Sequence, residues 1–253
     1  MALALTVLGS SGTWASATSG CSGYLVDDGT TRLWVDCGPG SLSALQHHCA
    51  VADVDALIVS HEHPDHLLDL PVLRNAMVYG LGVEGLPLYA PRAALERIDI
   101  LVGAGGVRPS FVPTALADGA EVTIGTLRVR TSRTDHPVET LAVRVDPLDG
   151  SSAGVAYSAD TGPGWSVAAL GAGIGLAVVE ATYLSADAPN RAHRTAAFTG
   201  ADARAAGVGH LVVTHVPPTG DPEVHRAEAE AAFGGPVSLA VPHARFEAGP
   251  PPA

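Results

Sequence analysis

Four of the six residues His61-Glu62-His63-Pro64-Asp65-His66, namely His61, His63, Asp65 and His66, are candidate metal ligands. Imidazole nitrogens and carboxylate oxygens are the donors that zinc and its first-row neighbours accept. The cluster follows an apolar run at 56–60 that reads as a buried strand, so it occupies a strand-end loop, and Pro64 suits the first turn of a helix. His61 and His63, two apart in extended chain, reach one side. Asp65 and His66, around the turn, face a second position. One zinc with an open coordination position cannot use all four, whereas two ions sharing a water can. The chemistry expected of such a pair is hydrolysis by a water made acidic between two cations.

Presenting that loop requires strands behind it, and the composition supplies them. The chain has 253 residues, 47% hydrophobic and 16% charged, enough for one sizeable α/β domain and too apolar for disorder. Acidic residues outnumber basic ones 26 to 14, a net charge of −12, which argues against wrapping a polyanion over a broad surface. Every basic residue is arginine, so lysine Schiff-base chemistry and a P-loop ATPase are excluded. Cys21, Cys37 and Cys49 form no C-x-x-C pair, which points to a reducing cytoplasm. The first residues read as a strand entering a Gly/Ser turn and not as a secretion signal, since no basic residue precedes Arg32. Glycines interrupt the most apolar stretch, 168–179, so no membrane span is expected.

Hydrophobic patterning predicts strands over 3–8, 24–26, 31–36, 56–60, 86–90, 121–124, 127–131, 140–145, 155–158, 176–180, 211–214 and 237–241. It predicts helices over 41–48, 91–102, 165–170, 199–206 and 222–233. Hairpins plus strand–helix alternation in both halves imply an α/β fold of two mixed β-sheets face to face with helices outside. Residues 1–248 form one domain, and the proline-rich residues 249–253 read as a disordered tail.

A histidine cluster of the form H-x-H-x-D-H after a buried strand resembles the metallo-β-lactamase superfamily. That resemblance implies an αββα sandwich with metals at the sheet rim and further ligands in order, each near a strand end. His136 (in Thr134-Asp-His-Pro), Asp160 (in Ser158-Ala-Asp-Thr161) and His215 (in Val213-Thr-His215) match them. By similarity, one metal takes His61, His63 and His136, the other takes Asp65, His66 and His215, and Asp160 bridges. Zinc is the first expectation, with manganese or iron as alternatives. The similarity extends to Leu8-Gly-Ser-Ser-Gly12 and Val35-Asp-Cys-Gly-Pro-Gly40.

Ser158-Ala-Asp-Thr161, Val179-Glu-Ala-Thr182 and Thr214-His215-Val-Pro-Pro218 are similar to the tRNase Z-like branch, which includes cyclic-nucleotide phosphodiesterases. His193, in His193-Arg-Thr195, stands at that branch's auxiliary catalytic histidine, a candidate general acid. Glu180 could orient a ligand or the proton donor, or be an ordinary charge at a strand end. The chain departs from tRNase Z in having Val179 where histidine is frequent and in lacking the Arg-Tyr after the last histidine motif. Only 24 positions separate His136 from Asp160, too few for the tRNA-gripping arm of bacterial tRNase Z. The implied function is therefore a binuclear phosphodiesterase acting on a small phosphodiester such as a cyclic nucleotide, with Asp65 both ligating and orienting the nucleophile. Extended nucleic acid and membrane are not expected partners, and a homodimer is left open. The rivals are hydrolysis of another ester, a thioester or a lactone, tRNA 3′ processing, and a di-iron oxidoreductase. His47, His48, His210, His225 and His243 do not continue the ligand pattern and read as structural or solvated.

Overall fold

The computed structural model describes residues 2–103, 105–187 and 192–250. β1 (Ala4–Gly9), β2 (Gly23–Asp27) and β3 (Arg32–Val35) form an antiparallel meander. Asp28 sets the turn between the last two, its carboxylate accepting the N–H groups of Thr30 and Thr31. β4 (Ala56–Ile58), β5 (Leu86–Pro91) and β6 (Phe111–Leu116) then add in parallel. The connections carry α1 (Ser41–Leu45), α2 (Pro64–Leu67), α3 (Asp69–Ala76) and α4 (Arg92–Val102).

The second sheet repeats the plan. β7 (Glu121–Ile124), β8 (Leu127–Arg133), β9 (Leu141–Pro147) and β10 (Gly154–Tyr157) are antiparallel. β11 (Ile174–Glu180), β12 (His210–Thr214) and β13 (Val237–Leu239) continue in parallel, with α5 (Ala196–Ala205) and α6 (Pro222–Phe233) in the connections. β14 (Arg245–Glu247) returns to pair with β1. The sheets run β14-β1-β2-β3-β4-β5-β6 and β13-β12-β11-β10-β9-β8-β7.

Central strands are buried on both faces and so read as continuous apolar runs. Leu5, Val7, Tyr24 and Leu33 meet Val143, Val155, Val178 and Val212 between the sheets. Leu8, Trp34 and Leu57 pack outward under Leu70, Ala94 and Ile98, and Ala177, Val179 and Leu211 pack under Ala196, Ala203 and Ala229. This is the αββα sandwich expected, and the parallel halves send the carboxyl ends of β4, β11 and β12 to one rim.

Several elements differ from the sequence reading. β6 carries Pro113, which argues against a strand, but it is the edge of its sheet, where a missing N–H is tolerated. β14 is too short to show a period. The helix expected over 165–170 is a 3₁₀ turn, Val167–Leu170, because Gly171 at φ 86 ends it after one turn. α5 starts at Ala196, ahead of the expected 199, because Thr195 caps it, its side chain accepting the Phe198 N–H at 3.2 Å. α3 and the π turn Met77–Leu81 after it, both unforeseen, extend the helical run beyond His66. Gly249, placed in the expected tail, accepts the Ala153 N–H at 3.2 Å, while 251–253 lie outside the described residues. Among the described residues no helix is long and apolar enough to cross a membrane.

Candidate metal centre

The strand ends decide which side chains converge. His61 leaves β4, Asp160 leaves β10, His215 follows β12 directly, and His136 sits in the β8–β9 loop. His63, whose extended backbone precedes Pro64, lets α2 start, and the first turns of α2 carry Asp65 and His66 inward. His61, His63, His136 and Asp160 offer ligand atoms all within 4.8 Å of one another, and so do Asp65, His66, Asp160 and His215. These are the two sets expected, with Asp160 common to both. Its Oδ2 lies 3.6 Å from His61 Nε2 and 4.0 Å from His136 Nε2, and its Oδ1 lies 3.2 Å from His66 Nε2 and 3.3 Å from His215 Nε2. Asp65 Oδ2 is 3.3 Å from His215 Nε2 and 3.5 Å from His66 Nε2.

Hydrogen bonds behind the centre set which nitrogen of each ring faces it. His66 Nδ1–H donates to Asp36 Oδ2 at 2.7 Å, and His61 Nδ1–H to Ser60 Oγ at 2.9 Å. His136 Nδ1–H donates to the Ala192 carbonyl at 2.9 Å, and His215 Nδ1–H to Thr182 Oγ1 at 2.9 Å. Each Nε2 is thereby left with its lone pair turned inward. His61 Nε2, His66 Nε2 and Asp160 Oδ1 are buried and make no hydrogen bond among the described residues. Lone pairs facing a carboxylate in a dry site repel unless a cation lies between them, so the donor set fits divalent metal. Protonation follows the same logic. Burial and the neighbouring His66 push His61 well below its ordinary value, and burial also lowers His63 and His136. Burial works against the proton on His66 too, but the Asp160 and Asp36 carboxylates outweigh it and raise that ring well above its ordinary value, a proton standing in for a cation. Burial opposes ionisation of Asp160 and Asp65, yet the surrounding imidazoles hold both well below the carboxylate range.

Asp36 is the principal residue that sequence reasoning missed. Its carboxylate accepts from Ser60 N–H (2.7 Å), Ser60 Oγ–H (2.9 Å), His66 Nδ1–H and Tyr157 O–H (2.9 Å). Its only sequence signal is its place in the Val35-Asp-Cys-Gly segment at the end of β3. Four non-glycine residues with left-handed backbone ring the centre: Thr13 (φ 67), Asp36 (φ 59), Ala159 (φ 52) and His215 (φ 61). Such conformations persist where surrounding contacts over-determine them, and here they aim the candidate ligands. Two glycines allow close approach: a Cβ on Gly38 would sit 2.1 Å from the Asp65 carbonyl oxygen, and one on Gly12 would sit 2.5 Å from that of His215.

Beside the ligands, His193 Nδ1–H donates to Glu180 Oε1 at 3.0 Å, and its ring lies against His136 and His215, with centroids 5.3 and 5.2 Å away. Glu180 is buried, not an ordinary strand-end charge. It also accepts Thr161 N–H at 2.6 Å and Thr182 Oγ–H at 2.6 Å. Burial alone would lower the pKa of His193, but Glu180 raises it to about 9. Arg194, also missed, is fully buried between Trp165 and Phe198. Its guanidinium donates to Asp202 (3.0 Å) and to the carbonyls of Gly162 (3.2 Å) and Trp165 (2.6 Å), tying the His193 segment to the loop after Asp160. The histidines set aside lie elsewhere: His225 Nδ1–H donates to the Ala181 carbonyl (2.7 Å), His210 pairs with Ser238, and His48 with His243.

Comparison with known proteins agrees with this architecture. A family model described as a β-lactamase superfamily domain matches residues 31–216. Protein Rv1339 of Mycobacterium tuberculosis is 35% identical, with 96% of this chain and 91% of that protein covered. The probable metallo-hydrolase YhfI of Bacillus subtilis is 31% identical over 93% of this chain and 96% of that protein. The YhfI crystal structure superposes with a TM-score of 0.85, covering 97% of this chain and 99% of that one at 30% identity. Ribonuclease Z of Halorubrum lacusprofundi is 28% identical over 93% of this chain and 94% of its own length.

Proposed function

The chain belongs to the β-lactamase superfamily, and from that premise we propose that it is a two-metal phosphodiesterase acting on a small phosphodiester of the cyclic-nucleotide kind. The observation that carries this reading is the pair of ligand sets sharing Asp160, with an acid–carboxylate pair, His193–Glu180, against them. His61, His63 and His136 would hold one ion, Asp65, His66 and His215 the other, and Asp160 both, with zinc the first choice for this nitrogen-rich set. Bound there, two divalent cations supply an acidified water and neutralise charge on the phosphoryl oxygens.

The chain's own groups do the rest. Asp65 Oδ2 accepts the Thr13 N–H at 2.9 Å, which fixes the carboxylate that orients the nucleophile. Glu180, by accepting the His193 Nδ1–H, favours the protonated ring, which would deliver the proton that an alkoxide leaving group needs. Glu180 also reaches His215 through the Thr182 hydroxyl, so one buried carboxylate orients both a ligand and the acid. The donor and its carboxylate favour a substrate with a poor leaving group, as an alkyl phosphodiester has.

The segment between His136 and Asp160 supports a small substrate. β9 and β10 pair as an antiparallel hairpin that consumes it, and no RNA-gripping insertion intervenes. The test is a hydrolysis panel on metal-loaded protein: 2′,3′- and 3′,5′-cyclic nucleotides, bis-(p-nitrophenyl) phosphate, a pre-tRNA, a thioester and a β-lactam. Turnover of a cyclic nucleotide is expected. Turnover of the thioester alone, or 3′ cleavage of the pre-tRNA with none of the cyclic nucleotides, would reject the reading.

A further inference from the structure

Trp14 is the feature of the rim that the reaction leaves unused. The chain has three tryptophans: Trp34 is fully buried and Trp165 nearly so, but Trp14 is 47% exposed. Its exposed indole offers a flat apolar face to whatever binds beside it. The backbone leading to it is pinned to the metal centre at successive residues. Gly12 N–H donates to the Val216 carbonyl at 3.2 Å, with no room for a Cβ beside His215, and Thr13 N–H donates to Asp65 Oδ2 at 2.9 Å. Thr13 adopts a left-handed φ of 67, rare for a β-branched residue, and Trp14 N–H then turns back onto the Gly12 carbonyl at 2.8 Å. The strained turn thus holds the one exposed indole a single residue from the contact to a ligand carboxylate.

The chain lacks lysine. Among the described residues, the guanidinium next to His193 is already taken, since Arg194 is committed to Asp202 and two carbonyls. The exposed Trp14 indole is a flat apolar face, and nucleobases stack on such faces. We propose that Trp14 is a specificity-determining residue that stacks the base of a nucleotide whose phosphodiester lies at the metal centre. The inference rests on the phosphodiesterase reading and narrows it to substrates carrying a nucleobase.

The experiment compares kcat/KM for 3′,5′-cyclic AMP with that for glycerol 1,2-cyclic phosphate, which has no base, in metal-loaded wild type, Trp14→Phe and Trp14→Ala. Trp14→Ala should lower the ratio of the two about tenfold, chiefly through the KM of cyclic AMP, and Trp14→Phe should keep it within about threefold of wild type. In parallel, AMP should quench a tryptophan emission component that wild type has and Trp14→Phe lacks, a readout independent of turnover. An unchanged ratio, or an equal loss on both substrates, with no AMP-dependent quenching overturns the role of Trp14 while leaving the phosphodiesterase standing. Quenching without hydrolysis of either cyclic phosphate rejects the phosphodiesterase and keeps the stacking site.

Discussion

At the scale of single residues, the site separates groups that could hold metal from groups that tune them, and the two classes fail differently when changed. His136→Ala and Asp160→Ala remove donors, so each should lower bound metal, measured by elemental analysis after dialysis; two ions per chain in either variant would refute the ligand assignment. Asp36→Ala leaves every proposed ligand in place but strips His66 of its Nδ1 partner and orphans Ser60 and Tyr157. Metal affinity should drop about 10–100-fold, read by competition with a chelator. His193→Ala should slow cyclic nucleotides about a hundredfold or more while slowing bis-(p-nitrophenyl) phosphate, whose leaving group needs no proton, far less. The sign of the pH effect follows. The acid works only when protonated, so kcat/KM falls as pH rises through the His193 pKa, at most about 9 because nearby cations lower it, and that alkaline limb disappears in the variant.

At the scale of elements, buried polar pairs and close-packed glycines hold the frame that aims these groups. On β9, Arg144 donates to both oxygens of Asp146 (2.8–3.0 Å) and to the carbonyls of Leu170 and Ala172, locking the 3₁₀ turn against the sheet. Burial alone would raise the Asp146 pKa, but Arg144 and Arg130 lower it below the ordinary carboxylate value. A depressed carboxylate stabilises the fold above its unfolded pKa, about 3.9, and loses that contribution as pH falls through the folded value. Wild type should therefore lose more Tm than Asp146→Asn between pH 5 and pH 3. The α5–α6 contact is equally specific: a Cβ on Gly200 would lie 2.1 Å from the Ala229 carbonyl oxygen. Gly200→Ala should force the helices apart and destabilise by about 1–3 kcal/mol in denaturant melts.

At the scale of the whole molecule, charge and shape both weigh in the proposal of a small substrate over a large polyanion. The net charge of −12 opposes broad contact with a polyanion, and the β9–β10 hairpin fills the segment between His136 and Asp160. A cyclic nucleotide carries one phosphate charge and displaces few counterions. Its kcat/KM should change less than about threefold between 50 and 300 mM KCl, whereas a steep salt dependence would indicate an extended polyanionic substrate. The paired sheets set this economy of surface. Their parallel halves deliver the loops after β4, β11 and β12 to one edge, and most of the remaining chain serves to bury the strands.

The histidine cluster at 61–66 was legible in the sequence because its ligands are neighbours along the chain, held by one strand and one helical turn. The order of His136, Asp160 and His215 was legible too, because each lies beside a strongly apolar strand whose end must reach the rim. Two edge strands of the first sheet were not: β6 and β14 bury one side at most and owe their form to the neighbour they pair with. Nor were the residues that act across the fold. Tyr157 and His66 meet on Asp36, and Thr182 relays Glu180 to His215, through contacts between segments 30 to 121 residues apart that no spacing encodes. Donor chemistry and strand order are properties of the chain. Which nitrogen faces the centre, and which carboxylate holds a proton in place, are decided only when buried polar groups from distant segments must satisfy one another without water.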